Sequence, residues 1–182
     1  MAPSARLFFA LWPDEETRQA LVRLSELLQI SQSGRAKEFK WTQPHNLHVT
    51  LVFLGQVEAA TGLLLKQAVA GIGATPFELT FDRLSYWSQP KVLCLTAQQP
   101  AQAIMELVAG LNAAVIGCGL QPDARPYSPH ITLARHARYL PEIAIEPLVW
   151  RAESFCLVES CSEADGVCYR VLQQWPFIKT PV

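Results

Sequence analysis

Two short strings govern how this chain is read: His48-Val49-Thr50-Leu51 and His130-Ile131-Thr132-Leu133, 82 residues apart and one in each half of the sequence. Both are rich in β-branched and apolar residues, so both predict strands. In a strand, residues i and i+2 share a face about 6.5–7 Å apart. Alternation groups His48 with Thr50 and sends Val49, Leu51 and Phe53 toward a core. It groups His130 with Thr132, opposite Ile131 and Leu133, and puts Arg135 off the His130/Thr132 face, so that Arg135 needs a twist or a strand end to reach that side. A lone His-x-Thr on a strand is common and says little. This chain has only four His, however, and two of them head matching strings. Packed about a pseudo-twofold axis, the two strands would lie side by side and face a common cleft.

Working outward, Leu7 to Trp12 is an aromatic-rich run closed by Pro13-Asp14, which predicts a buried strand. Asp14 can cap a helix whose first turn holds Glu15 and Glu16, with Thr17, Leu21, Leu24 and Leu28 at helical spacing. The strand around His48 is expected from Leu47 to Leu54, stopped by Gly55. A helix follows over Ala59 to Ile72, weakened by Gly62 and Gly71. Phe77 to Trp87 and Val92 to Ala97 predict two strands joined through Ser88-Gln89-Pro90. Ile104, Leu107, Val108, Leu111 and Val115 form a helical stripe ending at Gly117-Cys118-Gly119. His130–Ala134 and two late strands, Ser154–Glu159 and Val167–Trp175, complete the pattern. Strands and helices mix without strict βαβ alternation, so the expected class is α+β with antiparallel sheets.

The 182 residues carry 15 Lys and Arg against 16 Asp and Glu and are 50% hydrophobic, which excludes a disordered chain. A net charge of −1 argues against a genome-coating protein, but not against a partner met at one small site. No apolar run reaches the roughly 18 residues that span a bilayer, so no membrane contact is expected. The N-terminus lacks a signal-peptide cleavage site. Five cysteines without a CxxC pair read as reduced thiols, mostly buried, which predicts a cytoplasmic protein.

Paired imidazoles suit acid–base chemistry, because a pKa near 6.5 allows one to be neutral and the other protonated near neutral pH. One can take a proton from an attacking oxygen while the other gives one to the leaving oxygen. Flanking Thr hydroxyls can hold non-bridging phosphate oxygens. Phosphoryl transfer from a ribose fits these parts. Zinc is the rival use of paired His, but neither His48 nor His130 has a Cys, Asp or Glu at ligand spacing, so no metal is expected.

The two strings with their flanks, Pro44-His45-Asn46-Leu47-His48-Val49-Thr50-Leu51-Val52-Phe53-Leu54-Gly55 and Arg125-Pro126-Tyr127-Ser128-Pro129-His130-Ile131-Thr132-Leu133-Ala134-Arg135, closely resemble the 2H phosphoesterase superfamily. Within it the chain is similar to the bacterial RNA 2′,3′-cyclic phosphodiesterases, also called 2′-5′ RNA ligases. Arg6-Leu7-Phe8-Phe9-Ala10-Leu11 is similar to that family's opening strand, so the resemblance spans nearly the whole chain. It implies one bilobal domain over residues 1–182, with two similar αβ lobes of antiparallel sheet around a central cleft, and no metal or cofactor. It makes His48 the proton donor and His130 the proton acceptor, with Thr50 and Thr132 holding the phosphoryl oxygens; the symmetry of the strings alone would permit either order.

The resemblance also brings in Arg135 as a phosphate contact, with Arg125 and Tyr127 as further candidates in the loop before His130. Residues 31–40, with Arg35, Lys37 and Lys40 against Glu38, are a candidate for steering an RNA end, or a solvated loop. Phe8 is placed either under the cleft or in the core, His45 and His136 at the periphery, and Trp41, Trp87, Trp150 and Trp175 in the core or cleft wall. The implied partner is an RNA 3′ end or nucleotide bearing a 2′,3′-cyclic phosphate, met by a monomer. A non-catalytic nucleotide or RNA-end binding module, and a 2′-5′ ligase acting on tRNA halves, are the alternatives.

Overall fold

The computed structural model describes residues 4–31, 39–163 and 166–178. The chain runs β1 (Ser4–Leu11), α1 (Glu15–Ser31), β2 (Lys40–Trp41), a 3₁₀ turn (Pro44–Asn46), β3 (Val49–Glu58), α2 (Ala59–Val69), β4 (Phe77–Phe81), β5 (Arg83–Trp87), β6 (Val92–Thr96), α3 (Gln102–Gly117), β7 (His130–Arg135), β8 (Leu148–Ala152), β9 (Ser154–Glu163) and β10 (Gly166–Pro176). Asp14 starts α1 as foreseen, its Oδ1 accepting the Thr17 N–H at 2.8 Å. Residues 35, 37 and 38 of the expected steering segment lie outside the described residues.

Every described ladder is antiparallel, and the class is α+β. The main sheet has the order β10-β9-β1-β3-β7-β6-β5, with β2 added at β7, and β4 pairs with β8 in a separate ribbon. A strand–helix–strand unit occurs twice: β1-α1-β3 in one lobe and β6-α3-β7 in the other. In each, the outer strand pairs antiparallel with the strand that carries the His-x-Thr string. The two units meet at one pair, Val49 opposite Ile131. These are equivalent positions of the two strings, each following its His, as a twofold relation requires. Val49 and Ile131 are both fully buried, beneath a core that includes Phe9, Leu21, Leu65, Leu95, Leu111 and Trp150.

Three expectations are corrected. β3 does not stop at Gly55 but runs through it to Glu58, because Gly55 takes φ 69 and the ladder with β1 shifts register there. The run 77–87 is two strands, not one: it breaks at Asp82, and its halves join different sheets, β4 against β8 and β5 against β6. Phe53 does not point into the core; it is 49% exposed. The cause is a bulge. Phe9 pairs with Val52 and Ala10 with Thr50, so Leu51 is an extra residue and both Leu51 and Val52 turn inward. Parity then reverses, and Phe53 returns to the face of His48 and Thr50.

The same device sits in β7. Leu93 pairs with Ala134 and Cys94 with Thr132, leaving Leu133 as the extra residue, and Leu133 and Ala134 are both buried. Arg135 therefore comes back to the face of His130 and Thr132. The strand end that simple alternation would have needed is supplied by a bulge.

Truncating Ile131 at the only β3–β7 pair among the described residues should open a cavity between the lobes. Ile131→Ala is expected to lower unfolding free energy by about 2–5 kcal/mol, measured by urea denaturation. An unchanged midpoint would contradict the role given to this pair.

Candidate active site

His48, Thr50, His130 and Thr132 all line one cleft of about 1080 Å³ between the lobes. The two imidazoles are held in the same manner. His48 Nδ1 donates to the Asn46 carbonyl at 2.6 Å, and His130 Nδ1 donates to the Ser128 carbonyl at 2.8 Å. Each acceptor lies two residues upstream on the same chain. Holding the Nδ1 proton this way leaves Nε2 with the lone pair in the neutral ring, which is the form a general base needs. His48 Nε2 stands 3.0 Å from Thr50 Oγ1 and can accept the Thr50 hydroxyl proton.

The surroundings of the two rings differ. His48 is enclosed by aromatic side chains: Trp12 stacks on it at 5.6 Å, Tyr169 meets it edge-on at 5.0 Å and Phe8 lies 5.1 Å away. Phe8 belongs to a small apolar cluster with Ala10, Cys156 and Val158 on the cleft side of β1 and β9. Burial in this box pushes the His48 pKa down to about 4; the hydrogen bond to Asn46 opposes the shift, while the nearby His130 and Arg135 add to it. Among the described residues His130 has one aromatic neighbour, Trp87, at 4.5 Å, and its pKa is also lowered, first by desolvation and then by Arg135, against the bond to Ser128. The Arg135 guanidinium is thus felt by both rings. Both shifts favour the neutral imidazole.

Of the remaining expected residues, Arg135 lines the cleft and is exposed. Arg125 lines it too, but its guanidinium is held by the Asp123 carboxylate. Tyr127 donates its hydroxyl to the Thr50 carbonyl at 3.1 Å, tying the loop before β7 to β3. Burial raises its pKa, so it stays protonated. Lys40 lines the cleft opposite Arg135 in the β2–β7 ladder, and like charges placed opposite each other favour an anion between them. His136 stands at the rim with φ 57, while His45 is exposed in the 3₁₀ turn. Phe8, Trp41 and Trp87 belong to the cleft wall, and Trp150 and Trp175 to the core.

Sequence reading missed Asn46, Trp12 and Tyr169. Asn46 is buried, and its side chain pairs with the backbone of β10: Nδ2 donates to the Val167 carbonyl at 2.7 Å, and the Tyr169 N–H donates to Oδ1 at 3.1 Å. The residue whose carbonyl holds His48 is therefore pinned to a strand some 120 positions away. Its place two residues before His48 was the only local signal. Nothing local linked Tyr169 to the first string.

Two imidazoles facing one cleft from adjacent, twofold-related strands define a two-histidine phosphoesterase. The chain belongs to the LigT-like phosphoesterases: the family model matches it twice, over residues 11–94 and 95–169, each match containing one His-x-Thr string. It is 29% identical over 177 residues to the RNA 2′,3′-cyclic phosphodiesterase of Escherichia coli K12, covering 96% of this chain and 98% of that one. The protein of the same name from Thermus thermophilus is 32% identical over 184 residues, covering 93% and 89%. Among solved structures, E. coli LigT complexed with 3′-AMP superposes with a TM-score of 0.84 at 26% identity, over 97% of this chain and all of that one.

Loss of the Asn46 clip should let water reach His48. Asn46→Ala is expected to raise the His48 pKa from about 4 toward 6.5 in an NMR titration of the ring protons, with that of His130 little changed. An unmoved His48 titration would show that the clip does not position the ring.

Proposed function

We propose that this chain is a metal-independent phosphodiesterase that opens RNA 2′,3′-cyclic phosphate ends to 2′-phosphates, with His130 as proton acceptor and His48 as proton donor. The observation that carries the reading is the matched pair of imidazoles, each with Nδ1 anchored on a backbone carbonyl and both lining one cleft. The names of the relatives in E. coli and T. thermophilus support the substrate class.

In this mechanism His130 Nε2 takes a proton from water as its oxygen attacks phosphorus. The bond from phosphorus to O3′ breaks, and protonated His48 passes its Nε2 proton to the departing O3′. Thr50 and Thr132 hydroxyls hold the non-bridging oxygens, and Arg135 balances the charge that gathers on them. The bulge that turns Arg135 into the cleft supports its part in this set. Arg125 must leave Asp123 to join it, and Tyr127 acts through the Thr50 carbonyl more naturally than on substrate. Phe53 occupies the place in β3 that Arg135 has in β7, five residues after the His, and offers an aromatic face for a base. One lobe thus presents a cation and the other a ring. The same reading takes residues 1–182 as a single bilobal domain acting as a cytoplasmic monomer on an RNA end. Among the described residues, no helix is long and apolar enough to cross a membrane.

The donor role sets a condition on His48. With a pKa of about 4 the ring is unprotonated at neutral pH, so it must take up a proton from solvent as the anionic substrate binds. A phosphodiester anion beside the ring favours the imidazolium and raises its pKa.

His48→Ala and His130→Ala are each expected to reduce conversion of a nucleoside 2′,3′-cyclic phosphate by roughly 10²–10⁴-fold, in the presence of EDTA, with chromatography resolving the 2′ product from the 3′. Full turnover in both variants would remove the mechanism. The pH profiles should also separate. kcat/KM, which reports the free enzyme, needs protonated His48 and neutral His130 together, so it should fall below the His48 pKa of about 4 and above the lowered His130 pKa, with its optimum between them on the acid side of 6.5. The kcat profile, which reports the complex, should lie at higher pH. Coincident profiles would mean that substrate leaves the His48 pKa unmoved.

A further inference from the structure

Cys161 in β9 and Cys168 in β10 are register partners across the hairpin, directly opposite one another, and both are half-buried thiols. Among the described residues they are the only two of the five cysteines that face each other in a ladder. Cys94 and Cys156 are buried, and desolvation pushes both thiols up to about 12, so they are inert. Cys118 stands apart, at the end of α3.

The hydrogen-bonding phase at Cys168 follows from Asn46. The Val167 carbonyl and the Tyr169 N–H both point outward from the sheet edge to the Asn46 side chain. Backbone groups of successive strand residues alternate in direction, so those of Cys168 face β9. Cys161 and Cys168 therefore form the hydrogen-bonded kind of pair, whose Cα atoms lie about 5.5 Å apart. That separation lies within the range disulfides adopt, about 4.4–6.8 Å. The Cβ atoms of such a pair lie toward the upper end of about 4.5–5.5 Å, whereas a disulfide wants about 3.5–4.5 Å. Closing the bond therefore draws the two strands together by up to about 1 Å at Cys168. The Arg170 guanidinium is paired with Glu159 on the same face of the hairpin, next to the two cysteines.

We propose that Cys161 and Cys168 form a reversible intrachain disulfide that lowers the activity of the site through Asn46. The oxidant is a small disulfide such as oxidised glutathione. The Cys161 thiolate attacks one of its sulfurs and releases one glutathione thiolate. The Cys168 thiolate then attacks the Cys161 sulfur of the mixed disulfide and releases the second. Two protein thiols are oxidised, one glutathione disulfide is reduced to two thiols, and the two protons lost from the cysteines balance the two glutathione thiolates. The pull falls on Cys168, between the two residues that grip Asn46, whose carbonyl holds His48 Nδ1 at 2.6 Å. The strained, partly exposed bond is readily reduced again.

The inference rests on the proposed role of His48 for its effect on rate, but the bond itself does not. The full chain is incubated with oxidised glutathione and mapped by mass spectrometry without reduction. The expected result is a linked peptide pair containing Cys161 and Cys168, two hydrogens lighter. The His48 ring titration should move, and kcat on a nucleoside 2′,3′-cyclic phosphate should fall by roughly 10–100-fold, the effect of a misplacement of up to 1 Å. Dithiothreitol should restore both. Cys161→Ser and Cys168→Ser should keep their rate and their His48 titration under the same oxidant. Glutathione found on either cysteine alone, without the internal link, would overturn the disulfide. An internal link with an unmoved His48 titration and full kcat would overturn the coupling. If the chain turns over no cyclic phosphate even when reduced, the proposed activity fails, and the linked peptide and the His48 titration still decide the switch.

Discussion

Everything in the cleft depends on a single residue pair, Val49 against Ile131, through which two otherwise separate sets of strands become one sheet. Both side chains are fully buried, so the contact is held by the same apolar burial that stabilises the lobes. Each of these residues follows its His. Pairing them fixes the two imidazoles near a local twofold axis, at a separation that neither lobe could set alone.

Around that axis the lobes are equivalent in backbone and different in chemistry. Both rings donate Nδ1–H to the carbonyl two residues back, and both strands carry a bulge just after the Thr. At the equivalent place beyond the bulge, one strand carries Phe53 and the other Arg135. His48 sits in an aromatic box closed by Trp12 and Tyr169, while His130 has only Trp87 beside it among the described residues. Desolvation is the largest influence on both pKa values, and it takes His48 down to about 4. A symmetric scaffold thus carries two rings in different surroundings, and because burial holds His48 in its neutral form, it is the charge of a bound phosphodiester anion that would make this ring an acid.

Much of this was readable from the chain. The α+β class, the two His-x-Thr strands and their side-by-side placement follow from period-two alternation and from the repetition of a rare residue in matching strings. Reading failed where the backbone departs from a regular pleat. An extra residue at Leu51 and another at Leu133 reverse the faces that simple alternation predicts, which misplaced Phe53 and made Arg135 depend on a twist or a strand end to reach the cleft. Gly55 reads as a stop, yet its φ of 69 lets β3 bend and continue. Residues 77–87 look like one strand because nothing in their composition marks the change of sheet at Asp82.

By itself the sequence determined the chemical parts and their local direction, because strand alternation and the residues next to each His act over a few positions. Two imidazoles, two hydroxyls and apolar backing were all specified in this way. Only the tertiary structure decided how those parts are tuned and held. Asn46 reaches Val167 and Tyr169, and Tyr169 reaches His48, across some 120 residues of chain. Desolvation of a ring, the aim of a guanidinium beyond a bulge and the opposition of two cysteines across a hairpin are properties of the packed surroundings. They come into being only when distant segments exclude water from the same place.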